Sequence, residues 1–543
     1  MKTRFRDCII SLGLLAAAGC GDNGEPAGPD ASPSDAPPVE PRVGDTVILT
    51  SGGRLVSFDR AAPTVATSAV TVTGLGSETG GSETIVAFDR RPADGALYAL
   101  TTAGVLYTIA PDTGVATRKS ALTADPMDTT SPFTALAGDT FGADFNPVVD
   151  RLRVTTSTGQ NLRINVDTGV TITDGAINGA ATGYGNVAYT NAFASACRTT
   201  LHAIDTATDQ LLLQNPPNDG TAVAGGSLGL DATAIGGFDI ETTATANTAL
   251  AILVVGGSSG LYRIDLETGA ATSVGSLPLA AGETALALAS TVPATSVAIP
   301  QPTGELFGLT TGTKLVSFNR TAPGKLCTSA AITGIGAGDS PVGIDFRPST
   351  GVLHVLTNNA GAGKLYTVDP ASGIASSPVT LSVALAGTDF GVDFNPTGPV
   401  ALRIVSDTGQ NLRVTDIATG ATTTDTPLNG AATQATGAAY TNSAPGAVTT
   451  ALYVLDATAN RLLLQNPPNL GTLVDVGALG ADIDSVNGFD IDGRDNVALL
   501  AANLATSTGT TLHTVNLTTG AASAPLGVIG GGERLRGLAR PTP

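Results

Sequence analysis

Six aspartates recur at one place in this sequence. Asp89, Asp144, Asp345 and Asp393 stand in the pattern D-x-(R or N)-P, at the end of a short apolar run. Asp239 and Asp490 hold a similar place in "GFDI". If these carboxylates converge, two chemistries are open: a hard cation held by oxygens, or an acid pair acting on a glycosidic bond. The bland alternative is that each Asp accepts hydrogen bonds from its own turn. A second set is amide and guanidinium. "GQNLR" occurs at Gly159 and again at Gly409, and "LLLQNPPN" at Leu211 and Leu462. Strand alternation puts Asn161 and Arg163 on one face, with Asn215 near them, and Asn411, Arg413 and Asn466 likewise. If exposed, such groups suit a sugar or a peptide backbone. If buried, they satisfy backbone groups where sheets meet. Both readings stay open on sequence.

Other reactive types offer less. His202, His354 and His513 are the three histidines, and each aligns with a tyrosine elsewhere in the repeat (Tyr453, Tyr98 and Tyr262). They read as strand aromatics, not as a triad or a metal site, so neither a metal nor a cofactor is expected. "DIDGRDN" (490–496) lacks the distal Glu of a calcium loop and reads as a hairpin turn at Asp492–Gly493.

The elements that would position these residues are strands. The chain has 543 residues, with 67 Gly, 32 Pro, no Trp and only 13% charged residues. Short apolar runs are punctuated by Gly, and no stretch keeps a capped 3.6-residue period. The class is all-β. A net charge of −19 leaves nothing to neutralise phosphates, which argues against nucleic acid and against peripheral binding to an anionic membrane.

The first residues read as an export signal. Lys2, Arg4 and Arg6 precede the apolar "CIISLGLLAAAG", which ends on Cys20. This resembles a bacterial lipoprotein signal: residues 1–19 removed, Cys20 lipidated, and a disordered Pro/Asp/Ser-rich spacer over 20–42. The expected address is the cell envelope, lipid-anchored, on the periplasmic or surface side of the outer membrane. Export permits Cys197 and Cys327 to form a disulfide, though two separate thiols fit as well.

The doublets place the chain's halves in register. "DFNP", "NGAAT", "YTN", "LLLQNPPN" and "GFDI" each recur at an offset of 249 to 251. Two copies result, 43–289 and 304–543, joined by a Pro-containing linker over 290–303. Within each copy, runs such as "TIVAFD", "ALYALT", "GVLYTIA" and "VATRKSA" recur in fours. Each copy opens with three runs and closes with one, "ALALA" or "RLRGLA", which would complete the first blade. The expected fold is two tandem five-bladed β-propellers, with one ten-bladed propeller as the alternative. The first strand of a blade lines the channel, so three of five blades would point an Asp at the axis.

"GADFNPVVDRLRVTTSTGQNLRINVDTG" and "GVDFNPTGPVALRIVSDTGQNLRVTDIATG" resemble the signature of the bacterial domain-of-unknown-function 4394 family. The resemblance covers nearly all of both copies. It implies a secreted or surface propeller-like domain and brings no activity. The second copy departs where "VVDRLR" becomes "TGPVALR", leaving Asp150 and Arg151 without counterparts. The expectation is a monomeric envelope lipoprotein that binds a glycan or protein ligand, or serves as a scaffold. A carbohydrate-active enzyme using the channel carboxylates, and a purely structural envelope protein, are the alternatives.

Overall fold

The computed structural model describes residues 42–542 except 77–82, 182–183, 244, 292–300, 399 and 505–508. The signal segment, Cys20, nearly all of the spacer and most of the linker lie outside the described residues.

The described chain is all-β. It contains ten separate sheets of four or five strands, five per copy, and no α-helix among the described residues. The consecutive strands of each sheet run antiparallel, as the Gly- and Asp-rich turns between runs require. Gly114 of "PDTG", at φ 71°, shows why glycine ends that turn.

The apolar runs are continuous and not alternating because both faces of each sheet are covered. In "ALYALT", Leu97 and Ala99 pack toward the preceding sheet, while Tyr98 and Leu100 pack toward the next. The core therefore lies between neighbouring sheets. Leu100, Val154 and Leu162 are fully buried, each worth roughly 1.5–3 kcal/mol of transfer free energy.

The first sheet of each copy is closed by the copy's last strand. Ala285–Ser290 pairs with Thr46–Thr50, and Leu535–Ala539 pairs with Leu306–Thr310. The innermost strands touch in cyclic succession. In the first copy Ile85–Arg90 meets Phe141–Asn146, then Tyr184–Tyr189, Ala232–Thr242, Ala285–Ser290, and Ile85–Arg90 again. The second copy repeats this with Ser340–Arg347, Phe390–Phe394, Gly437–Tyr440, Ile483–Ile491 and Leu535–Ala539. These strands approach closely: a Cβ on Gly488 would lie 2.7 Å from the backbone of Gly537.

Outer edges are covered in a way the periodicity did not foretell. After leaving one sheet, the chain pairs in parallel with the outer strand of the next. Thr123–Ala124 does so along Val170–Thr173, and Asn178–Gly179 along Thr221–Ser227. The repeated "NGAAT" begins with that edge pairing, which blocks further strand addition.

Candidate functional site

The recurring aspartates do converge. Carboxylate oxygens of Asp89, Asp144 and Asp239 all lie within 4.8 Å of one another, and those of Asp345, Asp393 and Asp490 do the same. All six are buried, 1–8% exposed. Each sits on an inner strand, and backbone amides of the next inner strand orient it. Phe145 N donates to Asp89 at 2.8 Å, Tyr189 N to Asp144 at 3.1 Å, and Ser290 N to Asp239 at 2.5 Å. In the second copy Phe394 N donates to Asp345 at 2.7 Å, and Arg540 N to Asp490 at 2.6 Å. The donors are thus across the strand gap as well as local. Asp345 and Asp490 also accept from the following residue of their own strand, both at 2.7 Å.

Burial, then the neighbouring carboxylates, pushes Asp89, Asp144, Asp345 and Asp393 well above the usual carboxylate range. Burial also raises Asp239, and it pushes Asp490 up to about 7. A small cavity of about 20 Å³ touches the first triad, room for one water or ion and not for a sugar ring. Glycosidase carboxyl pairs stand about 5–5.5 Å or 6.5–9.5 Å apart with substrate between them. These triads are tighter and closed, so the acid-pair chemistry has no support in the geometry.

The "GQNLR" strings are placed differently from the exposed patch considered above, and that expectation is corrected for Asn161 and Asn411. Both are buried. Asn161 Nδ2 donates to Gly175 O at 2.9 Å and Pro217 O at 3.1 Å; Asn411 Nδ2 donates to Thr426 O and Pro468 O at the same distances. They bridge adjacent sheets. Arg163 is half-buried and bidentate on Asp174, at 2.6 and 2.8 Å, and Arg413 is bidentate on Asp425 likewise. Gln160 ties down the loop at Ala135 and Ala137. Only Asn215 and Asn466 are exposed, each before a cis proline.

The residues at the centre of this brace went unremarked in the sequence. Arg153, 1% exposed, donates to Asn161 Oδ1 (2.8 Å), Asp174 (2.6 Å), Asn218 (2.8 Å) and Tyr189 Oη (3.2 Å). Arg403 repeats the contacts to Asn411, Asp425 and Asn469, each at 2.7 Å. A signal existed: Arg153 and Arg403 each stand between two apolar residues of a second strand, in "LRV" and "LRI", and the last Asn of "LLLQNPPN" is the partner. Asp150, which has no counterpart in the second copy, pairs with Arg91 instead.

The histidines fall singly. His354 lies edge-on to Phe394, His513 bonds Thr511 and Ser523, and His202 bonds Thr200 at 3.1 Å. Burial pushes His202 down to about 4. In "DIDGRDN", Asp492 accepts from Arg494 N and pairs with Arg540, an arrangement of turn and ion pair. Cys197 and Cys327 form a disulfide, Cα–Cα 5.7 Å, spanning the two copies. Asn319 of the second copy donates to Cys197 O beside it. No described helix is long and apolar enough to cross a membrane.

No curated protein matches the chain. Among solved structures, the extracellular domain of the one component system BT4673 from B. thetaiotaomicron is 12% identical, with a TM-score of 0.23 over 88% of this chain. The chain spans 59% of that protein's length. Dihydro-heme d1 dehydrogenase NirN, solved with DHE, is 10% identical with the same TM-score, over 82% of this chain and 75% of its own. At 0.23 neither superposition defines a shared fold. The family model described as Domain of unknown function (DUF4394) matches residues 54–289 and again 314–539, nearly all of both sets of five sheets. The chain therefore belongs to the DUF4394 family, as two tandem copies of its domain.

Proposed function

We propose that each copy is a five-bladed β-propeller. In this reading the chain is an exported, lipid-anchored pair of such propellers, 43–289 and 304–543, that serves the cell envelope as a binding or scaffold module. The cyclic packing of the five inner strands carries this reading. Ala285–Ser290 lies between Ile85–Arg90 and Ala232–Thr242 of its own copy, where a ten-bladed ring would need it beside the second copy. The disulfide belongs to an oxidising compartment and so supports export. Binding is favoured over catalysis because most polar groups that could do chemistry are engaged inside: Asn161, Asn411 and the arginines on the brace, the acids in triads, the histidines apart, with Asn215 and Asn466 left exposed.

Two measurements test it. The mass of the mature N-terminus from membranes should be that of a chain beginning at diacylated Cys20; an unlipidated chain beginning elsewhere removes the anchor from the account. Residues 43–543 on glycan and peptide arrays should bind one class without altering it. Cleavage of an arrayed glycan would return the enzyme alternative.

A further inference from the structure

Three carboxylates brought face to face away from water cannot all stay ionised without a counter-charge. For Asp144, Asp345 and Asp393 no basic side chain is among the charges that act on them. Arg90 acts on Asp89, Arg60 on Asp239 and Arg540 on Asp490, all at longer range, and Arg60 and Arg540 are themselves paired with other acids, Asp45 and Glu241, and Asp492 and Glu305. Both oxygens of Asp345 and of Asp490 accept a backbone amide, which leaves each oxygen a second lone pair. Asp393 goes further: its Oδ1 is buried and has no hydrogen-bond partner among the described residues, and the residue is 1% exposed. Buried carboxylates elsewhere are satisfied, Asp425 by Arg403 and Arg413 and Asp456 by two backbone amides, so an unpartnered oxygen where three acids meet calls for a partner, and a cation is one that three acids can share.

The donor set specifies the class. All donors are carboxylate oxygens, with no nitrogen or sulfur, which suits a hard ion and disfavours zinc or copper. Oxygens within 4.8 Å of one another lie at most roughly 2.8 Å from the centre of their triangle, a bound close to the calcium–oxygen range of about 2.3–2.6 Å. Calcium accepts irregular all-oxygen coordination, whereas magnesium demands near-octahedral geometry at about 2.0–2.1 Å and keeps several waters, for which this closed site has no room. The cavity of about 20 Å³ beside Asp89, Asp144 and Asp239 has room for one such ion. We infer that each copy binds one divalent cation, calcium in preference to magnesium, between its three inner-strand aspartates. The ion would tie three of five inner strands at one point, in the first copy and independently in the second. This stands on the triad distances and does not depend on what the module binds outside.

The test uses the full chain, stripped with a chelator and titrated with calcium chloride, with magnesium as competitor. Calorimetry and metal analysis should give two calcium ions per chain, and the melting temperature should rise on calcium addition. Asp144→Asn and Asp393→Asn should each reduce the count from two to one, and the double variant to none. Without metal, these neutral variants should melt no lower than the parent, because they relieve repulsion; a purely structural carboxylate would give the opposite. Fewer than two calcium ions per chain at millimolar concentration in the parent overturns the inference that each copy holds one, and none leaves the triads as proton-sharing clusters. Retention of two ions by the double variant overturns it too. Should a variant fail to fold, the parent's stoichiometry alone decides.

Discussion

Removing Asp174 should cost the first copy several kcal/mol. Asp174 is 5% exposed and holds Arg153, 1% exposed, at 2.6 Å. Its loss leaves that guanidinium buried with only neutral acceptors, Asn161, Asn218 and Tyr189. Breaking one side of a buried pair costs about 3–5 kcal/mol, since the remaining charge stays out of water. For a unit of this size, roughly 2–4 °C accompanies each kcal/mol, so Asp174→Ala should lower the melting temperature of the first copy by roughly 6–20 °C. Arg163→Ala takes away a partner that is 29% exposed and leaves Arg153–Asp174 intact, so about 1 kcal/mol or less is expected. Arg153→Met combined with Asp174→Ala should recover much of the loss, because no buried charge then remains. The assay is thermal unfolding of the full chain by circular dichroism, with Asp425→Ala as the parallel variant in the second copy. A drop below roughly 3 °C for Asp174→Ala, or equal effects of Asp174→Ala and Arg163→Ala, would refute the brace and reopen the exposed binding patch.

Three further outcomes are expected. His202 is held down to about 4 by burial, against an ordinary 6.5, so the unfolded chain binds the extra proton between those values; stability should be complete above pH 6.5 and fall by up to about 3 kcal/mol as pH drops toward 4. His202→Tyr, the residue at the same place in the second copy, should flatten that part of the profile in a pH series of melts. With a protease site placed within residues 292–300, the cleaved halves should migrate together in gels until reductant is added, because Cys197–Cys327 joins them. Asn215→Ala and Asn466→Ala, exposed and outside the brace, should change stability by less than about 0.5 kcal/mol in the same melts.

Much of the scaffold was legible because both faces of each sheet are covered. Runs such as "RLRVTT" and "FGADFN" correspond residue for residue to strands Arg151–Thr156 and Phe141–Asn146. The shared position of the six aspartates left two readings open, bonding to their own turns or convergence, and equivalent residues of equivalent strands meet where those strands meet. The brace was misjudged for a reason of the same kind. Alternation puts Asn161 and Arg163 on one face but does not say whether another sheet covers that face. It is covered near Asn161 by the 3-10 turn Pro217–Asp219 and open near Arg163. Arg153 was hidden because an arginine in an apolar strand looks like an edge residue until its carboxylate is found. That partner, Asp174, lies beyond the end of the fourth strand, 21 residues on. The disulfide could not be paired from sequence, since Cys197 and Cys327 occupy non-equivalent places in the two copies.

The central claim is that each copy closes on itself. Residues 43–291 and 304–543, carrying Cys197→Ser and Cys327→Ser respectively, can be expressed apart and measured by analytical ultracentrifugation and thermal unfolding. Self-closing copies should each be soluble and monomeric, with one cooperative transition. Halves that are insoluble alone and become soluble only when mixed would contradict the account and support a single ten-bladed ring.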